Sequence, residues 1–385
     1  MPVLAALAGL VLILGGLWDT FETVVLPRRV ARRVRIARAF YGLTWPPWSA
    51  LARRIADEGR REAFLSYYGP LSLLGLLVVW ALTLLVGFAL LQWSLGPNVA
   101  TADGQSDFGT DLYMSGTTLF TLGLGDVTPR SGPARALVVA EVGTGFGFLA
   151  LVIAYLPVLY QSFSARETNV SLLDGRAGTP PSAAELLRRN LRDGRVDTLE
   201  RLLYDWERWS ADLLETNLSY PALAYYRSQH EKQSWVGALT VVLDACALVL
   251  TVCDGRLAQQ AQFTFAMARH AAGDLSQVFG TEPRQLEPDR LPPAAARRLW
   301  DVVYEIGPEL PRRPDADQYL GRLRDEYEPY VAALAAYFLS DLPPWLPEEN
   351  AHDNWEVTAW GILPHVQLPG PGNEPGTGTH ASTRA

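Results

Sequence analysis

The pattern of apolar and polar positions divides this chain in two. Up to about residue 165 long apolar runs dominate, and beyond it charged residues recur at helical spacing. The first run is purely apolar from Val3 to Leu17 and ends at Trp18. Alone it falls short of the ~20 residues that cross a bilayer, and it reaches that length only by continuing to Leu26 through Asp19 and Glu22. It lacks the basic start and small-residue cleavage site of a secretory signal, so a retained helix is expected. Leu71 to about Trp93 is apolar throughout and is the plainest span. A third runs from about Pro133 to Phe163, and at ~1.5 Å per residue it is long enough to tilt and project beyond the bilayer.

In the second half, Ala183 to Arg192 reads as a short helix. Val196 to Asn217 reads as a strongly amphipathic one, with Leu199, Leu202, Leu203, Trp206, Trp209, Leu213 and Leu214 on its apolar face. Trp235 to Val252 approaches span length, but Asp244 near its middle and its polar flanks suit a buried helix. Further helices are expected at 256–279, 294–306 and 315–340. No segment has strand period, so the fold class expected is an all-α membrane protein. Its divisions are 1–66 (an N-terminal helix and basic segment), 67–165 (a span–loop–span unit), 166–350 (a helical cytoplasmic domain) and 351–385 (a flexible Pro/Gly-rich tail).

Charge adds an orientation. Arg28, Arg29, Arg32, Arg33, Arg35, Arg38, Arg53, Arg54, Arg60 and Arg61 lie between the first two spans. Between the second and third, Arg130 faces Asp103, Asp107, Asp111 and Asp126. The positive-inside rule puts 27–66 and the C-terminal half in the cytoplasm, and the N-terminus and the 96–132 loop outside. Arg28 to Arg38 is expected to lie along the anionic inner leaflet, with Val30, Val34, Ala37 and Tyr41 on one face. The net charge of −8 argues against nucleic acid as a partner. Two cysteines, Cys246 and Cys253, are too few for a disulfide framework. The five histidines are scattered, and there is neither a P-loop nor a nucleophile–base constellation, so an enzyme is not indicated.

The outer loop carries the chemistry. Thr110 or Asp111 is the expected cap of a short helix over Leu112 to Phe120, and Thr121-Leu122-Gly123-Leu124-Gly125-Asp126 follows it. A dehydrated cation needs its water shell replaced by oxygens, which consecutive carbonyls facing one axis supply. Aiming them together requires φ > 0 at some positions, and Gly123 and Gly125 tolerate that. The Thr121 hydroxyl adds a further oxygen at the inner mouth.

Met114 to Pro129 resembles the pore signature of the potassium-channel superfamily, T-x-G-[YF]-G-D, and residues 70–165 resemble the two-helix pore module of bacterial potassium channels. The resemblance implies K+ held at the Thr121, Leu122, Gly123 and Leu124 carbonyls, with no other cofactor, and a homotetramer closing the ring. It also implies an aromatic residue where this chain has Leu124, and pore-helix tryptophans where it has Tyr113 and Met114. A carboxylate would stand where Thr117 does, which leaves Asp126 without its usual partner. The expected filter is therefore less rigid, and a sodium-passing pore is the alternative. A membrane-anchored sensor or scaffold with a vestigial pore is a third reading.

Along the third span, Gly143, Gly145 and Pro157 are gating candidates as hinge and kink, while close helix packing is an equal reading for the glycines. Glu141 is the one carboxylate in that span, and a pore-facing role and a hydrogen bond to the pore helix are both open. Asp19 and Glu22 are expected at the inner interface near Arg28 and Arg29. Tyr225 to Trp235 is a polar-aromatic stretch that resembles one accompanying this pore in some bacterial channels. Within it and beyond, Arg227, His230 and Asp244 form either an anion or pH site or a satisfied core network. No regulatory ligand is identified by the sequence.

Overall fold

The computed structural model describes residues 2–26, 35–97, 99–100, 107–191, 196–229, 232–347, 357–358 and 361–362. The chain is an all-α membrane protein. Among the described residues the only strands are two two-residue ribbons, β1 (Val99–Ala100) with β2 (Thr128–Pro129), and β3 (Val357–Thr358) with β4 (Gly361–Ile362). Arg28, Arg29, Arg32, Arg33, His230 and most of the tail lie outside the described residues.

Helix α1 (Pro2–Thr20) continues into a wider π-type turn at Phe21–Val25 and packs along α4 (Tyr68–Ser94). Two glycines permit this. A Cβ at Gly9 would lie 2.6 Å from Gly87 O, and one at Gly87 2.7 Å from Ile13. Small residues at such a crossing bring backbones together where lipid offers no hydrophobic drive.

Asp19 is expected near Arg28 and Arg29, which lie outside the described residues. It is buried, accepting from Trp80 Nε1 (2.8 Å) and from the amides of Ile36 (3.0 Å) and Ala37 (3.1 Å). It thereby satisfies the open amides at the start of α2 (Ile36–Ala52), where a carboxylate also meets the positive end of the helix dipole. Among the described residues the cation beside this pair is Arg35, 3.9 Å from Asp19 and 3.7 Å from Glu22.

After α3 (Glu58–Ser66), α4 leads out to the loop and to α5 (Phe108–Leu119). The return helix α6 (Gly132–Ala177) has 46 residues, ~69 Å at the usual rise, more than twice a hydrocarbon core. Its second half therefore projects into the C-terminal domain.

That domain holds α7 (Ala183–Asn190), α8 (Val196–Ser219), α9 (Trp235–Val252), α10 (Gly255–Phe279), α11 (Pro293–Ile306), α12 (Ala316–Asp325) and α13 (Glu328–Phe338). α9 is apolar enough to span a membrane, yet α6, α7, α8, α10, α12 and α13 wrap it, as its central Asp244 suggested. The helix expected over 315–340 is two. Pro329 has no amide proton and clashes with the preceding turn, so the chain breaks after Asp325 and restarts with Pro329 in the first turn of α13.

Candidate functional site

Helix α5 starts one turn earlier than the sequence suggested, and Asp107 caps it rather than Thr110 or Asp111. The Asp107 carboxylate accepts from Thr110 N (2.8 Å), and the Thr110 hydroxyl sits at the Asp107 amide, a reciprocal box. The spacing Asp107-x-x-Thr110 carries that signal. With 12 residues, α5 has over three turns.

At its far end the chain folds back beneath the helix. The amides of Leu122 (2.7 Å) and Gly123 (3.3 Å) both donate to Thr117 O, so the last turn of α5 anchors the strip that follows. The strip then alternates in hand. Thr121 (φ 58°), Gly123 (φ 57°) and Gly125 (φ 78°) are left-handed, whereas Leu122 and Leu124 are not. In an ordinary strand successive carbonyls point opposite ways. Alternating the hand at every second residue cancels that reversal and turns successive carbonyls toward one side. Two positions use glycine, as the sequence suggested; Thr121 adopts the same region at a cost that an L-residue seldom bears. Thr121 to Asp126 is exposed throughout, with Leu122 at 62% and Leu124 at 63%.

Asp126 does not lack a partner. Tyr113 Oη donates to Asp126 Oδ2 at 2.8 Å, tying the first half of α5 to the outer end of the strip. The carboxylate partner expected to be missing at position 117 is missing, and a tyrosine hydroxyl of the same helix takes its place. Thr117 contributes its carbonyl, and its hydroxyl turns to Met114 O. Outside this unit, β1 and β2 clasp the chain before α5 to the chain after the strip, with Val99 opposite Pro129 and Ala100 opposite Thr128.

Glu141 of α6 is fully buried, and Ser115 Oγ of α5 donates to its Oε1. The same hydroxyl lies 2.9 Å from Leu85 O of α4, so one side chain joins three helices. Of the two roles open for Glu141, the structure has the hydrogen bond, made to α5. At Gly145 a Cβ would lie 2.2 Å from Leu119 O, so this glycine lets α6 abut the end of α5. Gly143 has nothing within 4 Å of where a Cβ would stand, and α6 runs unbroken through both glycines and Pro157.

Arg227 and Asp244 are not brought together. Arg227 donates to Ser340 Oγ (2.7 Å) and Leu339 O (2.8 Å). Asp244 is held instead by Arg290 and the Tyr327 hydroxyl, with Glu328 on the other side of Arg290 at 3.0 Å. Burial opposes charge on Arg290, but the Asp244 and Glu328 carboxylates overcome it and hold its pKa above the ordinary value.

Fold and site thus define a membrane-spanning helix pair with a short helix and a carbonyl-bearing strip looped between them. Residues 75–161 match the profile of a family described as "Ion channel". The chain is similar to Protein LctB of Bacillus caldotenax, 38% identical over 90 residues, which is 21% of this chain and 66% of that protein, just under two thirds of its length. Protein LctB of Geobacillus stearothermophilus is 34% identical over 90 residues, with the same coverage. "Uncharacterized membrane protein YdjJ" of Bacillus subtilis (strain 168) is 24% identical over 248 residues, 63% of this chain and 68% of that one, so that likeness extends beyond residues 75–161. No solved structure matches the chain.

Proposed function

We propose that the chain is a potassium-preferring channel subunit, four copies of which close a ring of Thr121, Leu122, Gly123 and Leu124 carbonyls around a passively conducted ion. The observation that carries this reading is the alternation of backbone hand from Thr121 to Gly125 behind an anchored helix. Irregular backbone at membrane depth is tolerated only where it lines a cavity or is buried in protein. The exposed strip of one chain therefore calls for further copies. On α6, Val139, Phe146, Ile153 and Tyr160 recur every seven residues on one exposed face, which lipid or a neighbouring copy can cover.

In this reading the channel sits in the cell membrane with its N-terminus outside and the 166–350 domain in the cytoplasm. Arg28–Arg38 meets anionic lipid, no nucleic acid takes part, and no catalysis is involved. Gly143, facing open space on α6, and Pro157 remain the places for a gate to bend.

Leu124 supports a second reading, a pore that also passes sodium, because it has no hydroxyl to tie the strip outward. Purified protein in planar bilayers under a potassium/sodium gradient separates the two. A reversal potential near the potassium equilibrium value is expected, a permeability ratio near one would favour the second reading, and a stable monomer without flux would defeat both.

A further inference from the structure

The polar-aromatic segment 225–235 plays no part in the pore loop, yet it adjoins the stretch of the C-terminal half best placed to act on that loop. Residues Pro221–Tyr225 form a short 3-10 turn clamped between the two pore helices. On one side Arg166 of α6 donates to Leu223 O and Tyr226 O, both at 2.8 Å. On the other, Gly69 of α4 approaches so closely that a Cβ there would lie 2.8 Å from the Tyr226 ring and 3.2 Å from Tyr225 O. A shift of this turn is felt by both helices at once.

Immediately beyond it opens a cavity of about 930 Å³, within the size range of small-ligand sites. It lies between α3, which leads into α4, and Pro180 and Pro181, which follow α6. Its walls carry both signs of charge. Glu58 and Glu62 of α3, with Asp341, face Arg227 and Lys232. Three carboxylates oppose a polyanion such as a nucleotide, and two cations oppose a polyamine. A molecule bearing one charge of each sign suits both walls.

One ion pair of the wall is loose. Arg227 Nη2 stands 3.4 Å from Glu62 Oε1, longer than its two other contacts, and the Glu62 side chain is 44% exposed. A zwitterion inserted there replaces one long pair with two short charge-assisted ones, with no net change in buried charge.

We propose that this cavity binds a small zwitterion of the α-amino-acid class, its carboxylate on Arg227 and its ammonium on Glu62, and that occupancy is passed to α6 through residues 221–226. The binding half stands on the cavity alone; the transmission half rests on the channel reading.

The test uses the full chain in mild detergent, titrated with the common L-α-amino acids one at a time, followed by thermal shift and calorimetry. ATP and putrescine serve as polyanionic and dicationic comparisons. At least one amino acid is expected to bind and raise the Tm, and neither comparison compound is expected to do so. Glu62→Gln, a mild change on a half-exposed side chain, is expected to weaken binding at least about ten-fold, the loss of one charge-assisted hydrogen bond. The proposal is overturned if no amino acid binds, if ATP or putrescine binds in their place, or if neither Glu62→Gln nor Arg227→Lys alters the affinity. Binding to a protein that passes no ions would sink the channel reading and leave the site standing. Ion flux that a saturating amino acid leaves unchanged would overturn the transmission half.

Discussion

Two helices of this protein have the same mean hydropathy and opposite fates. The spanning stretch of α6 and the whole of α9 both score 2.1, yet within one chain 11% of the first is buried and 94% of the second. Apolar content therefore sets how much surface must leave water, and the neighbours decide where it goes. α9 has six helices around it and a charged network at Asp244; the spanning stretch of α6 keeps an apolar face that its own chain leaves uncovered. Greasiness alone does not tell a core helix from a membrane-spanning one. What separates them is whether other helices of the same chain cover the apolar stretch.

The sharpest way to break this contrast is to unbalance the α9 network. Arg290→Met leaves Asp244 buried without a compensating charge, which costs roughly 3–5 kcal/mol when one partner of such a pair is removed. A large fall in the Tm of the purified protein is expected, with much of it recovered in an Arg290→Met, Asp244→Asn double variant. If the single variant melts like the parent, the network is not what holds α9 inside.

The matching change in the pore unit is smaller. Gly145→Ala forces a methyl against Leu119 O, an overpacking cost of roughly 1–3 kcal/mol, and conduction should fall with it. Gly143→Ala meets open space and should leave the Tm unchanged. Equal behaviour of the two in a melting and flux assay would remove the packing role assigned to Gly145.

Tyr113→Phe deletes only the bond to Asp126. Folding should be nearly unaffected, while the potassium/sodium permeability ratio in bilayers moves toward one. An unchanged ratio would mean that the strip is braced elsewhere.

The smallest effect concerns the cap of α5. Hydrogen bonds from the Thr110 amide and hydroxyl hold the Asp107 carboxyl below its ordinary pKa. A group depressed in the folded state contributes fully above its unfolded value, and the contribution fades as pH falls through the folded one. A modest loss of Tm at acid pH is expected, and Asp107→Asn should flatten that slope. A parallel slope in the variant would place the acid sensitivity on another group.

Much of this architecture was legible in residue order because spans, amphipathic helices and the Gly123/Gly125 alternation are local signals. The signals that misled were those with two neighbouring solutions. Thr110 and Asp111 both look like caps, and only the box with Asp107 decides between the candidates. The long helix expected over 315–340 ignored Pro329, whose effect is equally local. What no local pattern carries is the meeting of Tyr113 with Asp126, which depends on the strip folding back along α5. The same holds for Gly145 beneath Leu119, and for Arg290 reaching Asp244 across 46 positions. The cavity beside 225–235 draws its walls from segments far apart in sequence, so charge patterning along any one of them could not reveal it.

The two-residue clasp between β1 and β2 has a consequence for how this module can vary. It brings Ala100 and Thr128 together, so the two ends of the stretch that carries α5 and the strip are held side by side outside the helix pair. Variation in the stretch between them is therefore confined to side chains other than Ser115 and Leu119, whose contacts with Leu85, Glu141 and Gly145 fix how α4 and α6 stand on either side of α5.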